Sequence, residues 1–175
     1  MAIWIIRTRN VENQSTESKY DDILGASYHY DSMVAYSKAM KAGDIIFIRG
    51  NGELLGVSRI SSIKSGRAKK EMNRCPHCGA TEISLRSTTL DYRCAICKEE
   101  FASPRITYRE VTSYVADYSK FWWRFSNPIP FNEGTLPMKG YRTNAMRKVE
   151  KLSSIAQIVE KSGQSTVLIE ALSKI

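Results

Sequence analysis

Histidine is nearly absent from this chain: only His29 and His77 occur in 175 residues. Histidine-based nuclease and hydrolase sites are therefore hard to assemble. Neither a Ser/His/Asp arrangement nor a glycine-rich phosphate loop of the Walker type is visible. Long apolar runs are also missing. No stretch approaches the ~20 residues that a membrane-spanning helix needs. The apolar opening Met1-Ala2-Ile3-Trp4-Ile5-Ile6-Arg7 is too short for the core of a signal peptide. No internal repeat is present, and cysteine is confined to one segment. These absences point to a non-membrane, cytoplasmic protein with no catalytic centre of its own, any catalytic domain lying outside this chain. In a reducing compartment, paired cysteines favour a metal over a disulfide.

Acidic residues are outnumbered, 18 against 26 Lys and Arg, which gives a net charge of +8 and a pI near 9.4. That balance suggests a polyanionic partner, most often nucleic acid. The surplus is uneven. From Lys64 to Arg109 there are ten basic and five acidic residues, so this stretch supplies +5.

With 42% hydrophobic residues the chain can bury a sizeable core. Residues 2–6 read as a buried first strand, followed by a polar loop from Arg7 to Asp22. Asp31 or Ser32 can cap a short helix whose apolar face carries Met33, Tyr36 and Met40. Ile45-Ile46-Phe47-Ile48-Arg49 reads as a buried strand. Gly50-Asn51-Gly52 is a hairpin signal, and the return strand runs from Leu54 to Ile60 and on toward Ile63. Residues 64–74 are basic and read as a turn-rich exit from the sheet. Ile106 to Val111 alternates at period two and resumes it. Pro128, Pro130 and Pro137 mark a loop, and Arg142, Asn144 and Arg147 form a basic run with the character of a solvated face. Leu152, Ile155, Ala156 and Val159 form one helical stripe; Leu168, Ala171, Leu172 and Ile175 form a second.

The strongest motif is Cys75-Pro76-His77-Cys78, fifteen residues, then Cys94-Ala95-Ile96-Cys97. Two such turns facing each other present four sulfurs to one tetrahedral Zn²⁺ ion. Gly79 lets the first turn curl, and residues 83–87 and 90–93 read as two ribbon strands. Four thiolates close the site, so its role is structural and His77 is expected outside it. Arg74, Arg93 and Lys98 are near enough in sequence to offset the surplus negative charge of the thiolates.

The run Lys41-Ala-Gly-Asp-Ile-Ile-Phe-Ile-Arg49 with Leu54-Leu-Gly-Val-Ser-Arg-Ile60 resembles the core hairpin of PUA-like domains, which include EVE, YTH and SRA-type readers of modified bases. With the inserted ribbon, residues 1–150 resemble zinc-containing amino-terminal domains of modification-dependent restriction nucleases. The implied fold is α+β: a partly closed β-barrel with flanking helices, interrupted by a zinc ribbon at 72–102 and closed by helices at 151–175. The implied function is a DNA-binding module of a restriction or defence system, reading a modified base of double-stranded DNA by flipping it out, with a nuclease domain or subunit as partner. Extruding a base costs a few kcal/mol, and stacking on an aromatic ring returns ~1–3 kcal/mol. Tyr28, Tyr30, Trp122 and Trp123 are the stacking candidates. Asp31, Ser32 and Ser37 could bond a base edge, and Arg49, Asn51, Arg59 and Arg124 could hold phosphates. Each also has a plainer reading: core for the aromatics, helix cap for Asp31, hairpin turn for Asn51. An RNA-binding PUA-like module and a protein-interaction module using the ribbon remain as alternatives.

Overall fold

A computed structural model describes residues 1–8, 21–87, 89–132, 136–139, 145–163, 167 and 169–170. The chain forms two compact units, one from residues 1–66 and 113–175, the other from 67–112.

The first unit is organised by a six-stranded sheet. Its strands are β1 (Ile3–Arg7), β3 (Ile45–Gly50), β4 (Glu53–Arg59), β10 (Trp123–Pro130), β11 (Met138–Lys139) and β12 (Met146–Val149), in the order β10-β4-β3-β1-β12-β11. β1 pairs parallel with β3, Ile3 opposite Ile45 through Ile6 opposite Ile48, and antiparallel with β12. The near-continuous apolar character of β1 and β3 follows from their central place, because both faces of the sheet are covered. Ile3, Ile5, Ile45 and Phe47 point to one side, where they meet Ile155 and Val159 of α1 (Leu152–Lys161). Trp4, Ile6, Ile46 and Ile48 point to the other. There they pack on Tyr28 and Tyr30 of β2 (Ser27–Asp31) and Ala116 of β9 (Arg105–Asp117). β2 and β9 belong to a second sheet of order β2-β9-β5, with β5 spanning Ser62–Arg74. Both β5 and β9 cross from one unit into the other.

Two local devices hold the first unit in register. Asn51 (φ 51°) and Gly52 (φ 81°) both adopt positive φ, the requirement of a type I′ hairpin between β3 and β4. At the Gly43-Asp44 turn, the buried Asp44 carboxylate accepts from the Ala2 amide (2.7 Å), Trp4 Nε1 (2.9 Å) and the Lys41 amide (3.0 Å). One side chain thus ties the first strand to the turn that starts β3.

The fold is mostly β, and no closed barrel forms among the described residues, since the six-stranded sheet ends in β10 and β11. Several finer expectations need correction. Residues 33–40 are turns and not a helix. Successive bonds from Val34 to Asp31, Ser37 to Val34 and Ala39 to Tyr36 close them, and Tyr36 at φ 65° would break any helix. Residues 64–74 are not an exit loop but most of the thirteen-residue β5. The second compact unit, 67–112, contains residues 72–102 together with further residues of β5 and β9. Pro128 and Pro130 lie within β10, tolerated because that strand is at the sheet edge. Arg147 is buried in β12, not on a solvated face, whereas Arg142 and Asn144 fall outside the described residues. So do residues 9–20 of the polar stretch and Leu168, Ala171, Leu172 and Ile175 of the second helical stripe. Among the described residues, no helix is long and apolar enough to cross a membrane.

Candidate metal centre and nucleic-acid-binding residues

The second unit carries the four cysteines. Its small sheet pairs β6 (Ile83–Leu85) with β7 (Tyr92–Cys94) and β7 with β8 (Glu100–Phe101), the last strand not anticipated from sequence. Each Cys-x-x-Cys turn is closed by a backbone bond to its first cysteine, Gly79 N–H to Cys75 O (2.9 Å) and Lys98 N–H to Cys94 O (3.1 Å). Gly79 (φ 76°) and Lys98 (φ 67°) occupy equivalent left-handed positions. The first was legible from its glycine; the second was hidden under a lysine.

The four sulfurs lie within 4.8 Å of one another, and the Cys75–Cys97 and Cys78–Cys94 Sγ pairs are 3.6 Å apart. A tetrahedral ion with metal–sulfur bonds of about 2.3 Å requires sulfur–sulfur edges of about 3.8 Å. The residues therefore fit a metal ion. Cys75 and Cys94 are buried; amide donors, first that of Cys97, lower the Cys94 thiol to about 7, whereas Cys97, against the Glu99 amide, is raised by burial and the other three sulfurs. His77 is exposed, tilted against Phe101, and is not among the clustered ligands.

The cations of the ribbon are occupied locally. Arg86 bonds Glu100, with Arg93 Nε 4.0 Å from the same carboxylate, and Lys98 Nζ donates to Ala95 O (2.6 Å). Arg74 donates through Nε to Thr107 Oγ1 (3.1 Å) and through Nη1 to Gly79 O (2.8 Å).

The nucleic-acid candidates are not brought together. Tyr28 and Tyr30 are core residues, 3% and 1% exposed, with Tyr30 stacked on Tyr28 (5.3 Å) and on its cross-strand partner Tyr114 (5.0 Å). Burial pushes the Tyr30 hydroxyl up to about 12, assisted by Tyr114. Neither ring offers a face to a base. Trp122 is also packing: its indole fills the space left by Gly25 and Gly56, where an added Cβ would come within 2.9 Å of Nε1 and 2.5 Å of Cη2 respectively. Asp31 is buried and accepts from the Met33 amide (2.7 Å), so it makes a turn, not a helix cap. Ser37 is buried and Ser32 half-buried. Arg59 is held by the Gly43 carbonyl (3.0 Å), Arg49 lies half-buried in β3, and Asn51 forms the hairpin turn. Of the aromatic and cationic candidates only Trp123, 48% exposed, and Arg124 are exposed, and as neighbours on edge strand β10 they face opposite sides.

Two groupings were not foreseen. Buried Asp22 accepts from the His29 amide (2.8 Å) and Thr8 Oγ1 (3.3 Å), and burial raises its carboxyl to about 6 against those bonds. Its aspartate is unremarkable in a polar stretch, so nothing local marked it. The other is the basic arm formed by 67–74 and 105–112, which carries six Lys or Arg and two Glu, a net +4. The ribbon between, 75–104, has three basic and four acidic residues, a net −1 before any thiolate is counted. The +5 of the wider segment is therefore a property of the strands and not of the metal module. The alternation at 106–111 was visible; the strand character of 64–74 was not.

No family model, curated protein or solved structure matches the chain.

Proposed function

We propose that this chain is a DNA-binding recognition module on a PUA-like scaffold, with Zn²⁺ as the structural metal. The observation that carries the reading is the charge distribution: +4 over the sixteen residues of two adjacent extended strands, in a chain of +8. A cationic ribbon of this kind suits a polyanion, whose affinity derives largely from release of condensed counterions. Support for zinc comes from the donor set, since four thiolates in a tetrahedral cluster favour it over harder oxygen-seeking ions. The PUA-like part is supported by the hairpin from Ile45 to Arg59 and the Asp44-bonded turn before it.

Reading of a modified base, in this proposal, falls to Trp123, while Arg124, on the opposite face of β10, is left to hold a phosphate. A single exposed indole supplies ~1–3 kcal/mol of stacking, comparable with the few kcal/mol needed to extrude a base. A partner or fused nuclease would supply cleavage.

A panel of unmodified, hemimodified and modified duplexes with matched RNA tests the proposal. Salt-dependent duplex binding is expected, with Trp123→Ala narrowing any preference among the duplexes. Equal affinity for all duplexes would remove base reading and leave DNA binding. Preference for RNA would replace the DNA reading.

A second reading has its own observation. Leu85, Leu90 and Ile96 of the ribbon are 55%, 72% and 62% exposed. Exposed apolar side chains on a module of weakly negative charge suit a protein surface better than phosphate. Binding of the intact protein to a nuclease subunit, lost in Leu90→Ser/Ile96→Ser, is the corresponding test.

A further inference from the structure

The two faces of the basic arm differ. Arg74 and Thr107 share one face, because Arg74 Nε reaches Thr107 Oγ1 at 3.1 Å while Thr107 Oγ1 also donates to Met72 O (3.3 Å). Alternate residues of a strand share a face. Lys70 and Arg74 of β5 therefore lie on the same face as Arg105 and Arg109 of β9. The burial alternation over 67–72 agrees: Ala68, Lys70 and Met72 are half-buried, while Arg67, Lys69 and Glu71 are exposed. The first face carries four cations and no acid. The second carries Arg67 and Lys69 balanced by Glu71 and Glu110, with exposed Ile106 and Tyr108.

Arg105 and Arg109 are exposed, and neither is paired with an acidic side chain among the described residues. They are four residues apart on an extended strand, about 13 Å at about 3.3 Å per residue. The major groove of B-DNA is about 12 Å wide and admits a two-stranded β-ribbon. Over 105–112, β9 has β5 as its partner, since β2 pairs only with Ser113–Asp117.

We propose that the acid-free face of the arm is the phosphate-binding surface for duplex DNA, with Arg105 and Arg109 meeting phosphates on the two rims of a major groove. The proposal rests on the DNA-binding reading above and assigns it to one face. Arg74 is a positioning residue: its guanidinium joins the arm to the Gly79 carbonyl of the first cysteine turn. The metal module thus sets where the cationic face ends, without touching the DNA.

Two double variants with the same change of net charge test the assignment in the full metal-loaded chain. Arg105→Ala/Arg109→Ala should weaken binding to an unmodified duplex about tenfold and lower the slope of log affinity against log salt by about 1.8, the value for two lost phosphate contacts. Arg67→Ala/Lys69→Ala, on the opposite face, should leave that slope within about 0.5 of the parent. Metal content and circular dichroism establish that both variants fold. Equal losses in the two variants would overturn the face assignment, as would no loss in either. A parent chain with no affinity for duplex at low salt would instead overturn the DNA-binding reading itself.

Discussion

The two units of this chain reach order by different physical means. In the first, β1 and β3 bury apolar side chains on both faces, and large residues such as Trp4, Phe47, Ile6 and Ile46 are almost fully enclosed. Burial of each such side chain contributes about 1.5–3 kcal/mol. The second unit has few: among its described residues only Cys75, Cys94 and Val111 belong to the buried hydrophobic set, and Leu85, Leu90, Ile96, Ile106 and Tyr108 are exposed. Its strands β6, β7 and β8 are two or three residues long, too short to be stable without help. The lesson is that four clustered cysteines stand there in place of a core: an ion held between them would fix two turns that burial alone would not hold.

Removing the metal should break this contrast most visibly. Structural zinc in small domains contributes an apparent 10–16 kcal/mol of folding free energy, so a chelator should abolish amide protection in 75–101. Protection in 3–6 and 45–59 should persist. Hydrogen exchange read segment by segment checks this, and simultaneous loss of both would show that the units are not ordered independently.

The converse experiment acts on the first unit. Asp44→Ala leaves the Trp4 indole N–H and two amides without their acceptor. Each unsatisfied buried donor costs about 1–3 kcal/mol, so a destabilisation of about 3 kcal/mol or more is expected in denaturant unfolding. Metal affinity, measured by competition with a chromogenic chelator, should be unchanged.

A smaller effect is expected from pH. Burial raises the Asp22 carboxyl from 3.8 to about 6, so between these values the folded chain binds more protons than the unfolded chain. Its contribution is fully present below the unfolded value and declines as pH rises through the folded one, by up to about 3 kcal/mol. Unfolding titrations of the parent from pH 4 to pH 7 should show this decline, and Asp22→Asn should flatten it. An unchanged profile in the variant would place the pH dependence elsewhere.

Much of the fold was legible because it is encoded at short range. Burial of β1 and β3 on both faces follows a continuous apolar run, the β3–β4 turn follows from Asn51-Gly52, and α1 follows from the stripe Leu152, Ile155, Ala156 and Val159. What misled was local pattern whose outcome depends on distant partners. Met33, Tyr36 and Met40 have helical spacing, yet the Tyr36 ring lies against Trp4 at 5.9 Å and its backbone is left-handed. The cations of 64–74 looked like a loop because exposed strands need no apolar face.

The sequence by itself determined the four-cysteine cluster, because two cysteine pairs at fixed spacing dictate two turns, and the geometry of each turn is local. It also determined the excess of positive charge. Tertiary structure decided which aromatics are accessible: Tyr28 and Tyr30 alternate as a surface strand could, but they are buried because the six-stranded sheet lies against them. It likewise decided that the charge collects on one face of a paired arm, since a strand's period of two defines two faces but only its partner shows which cations share one.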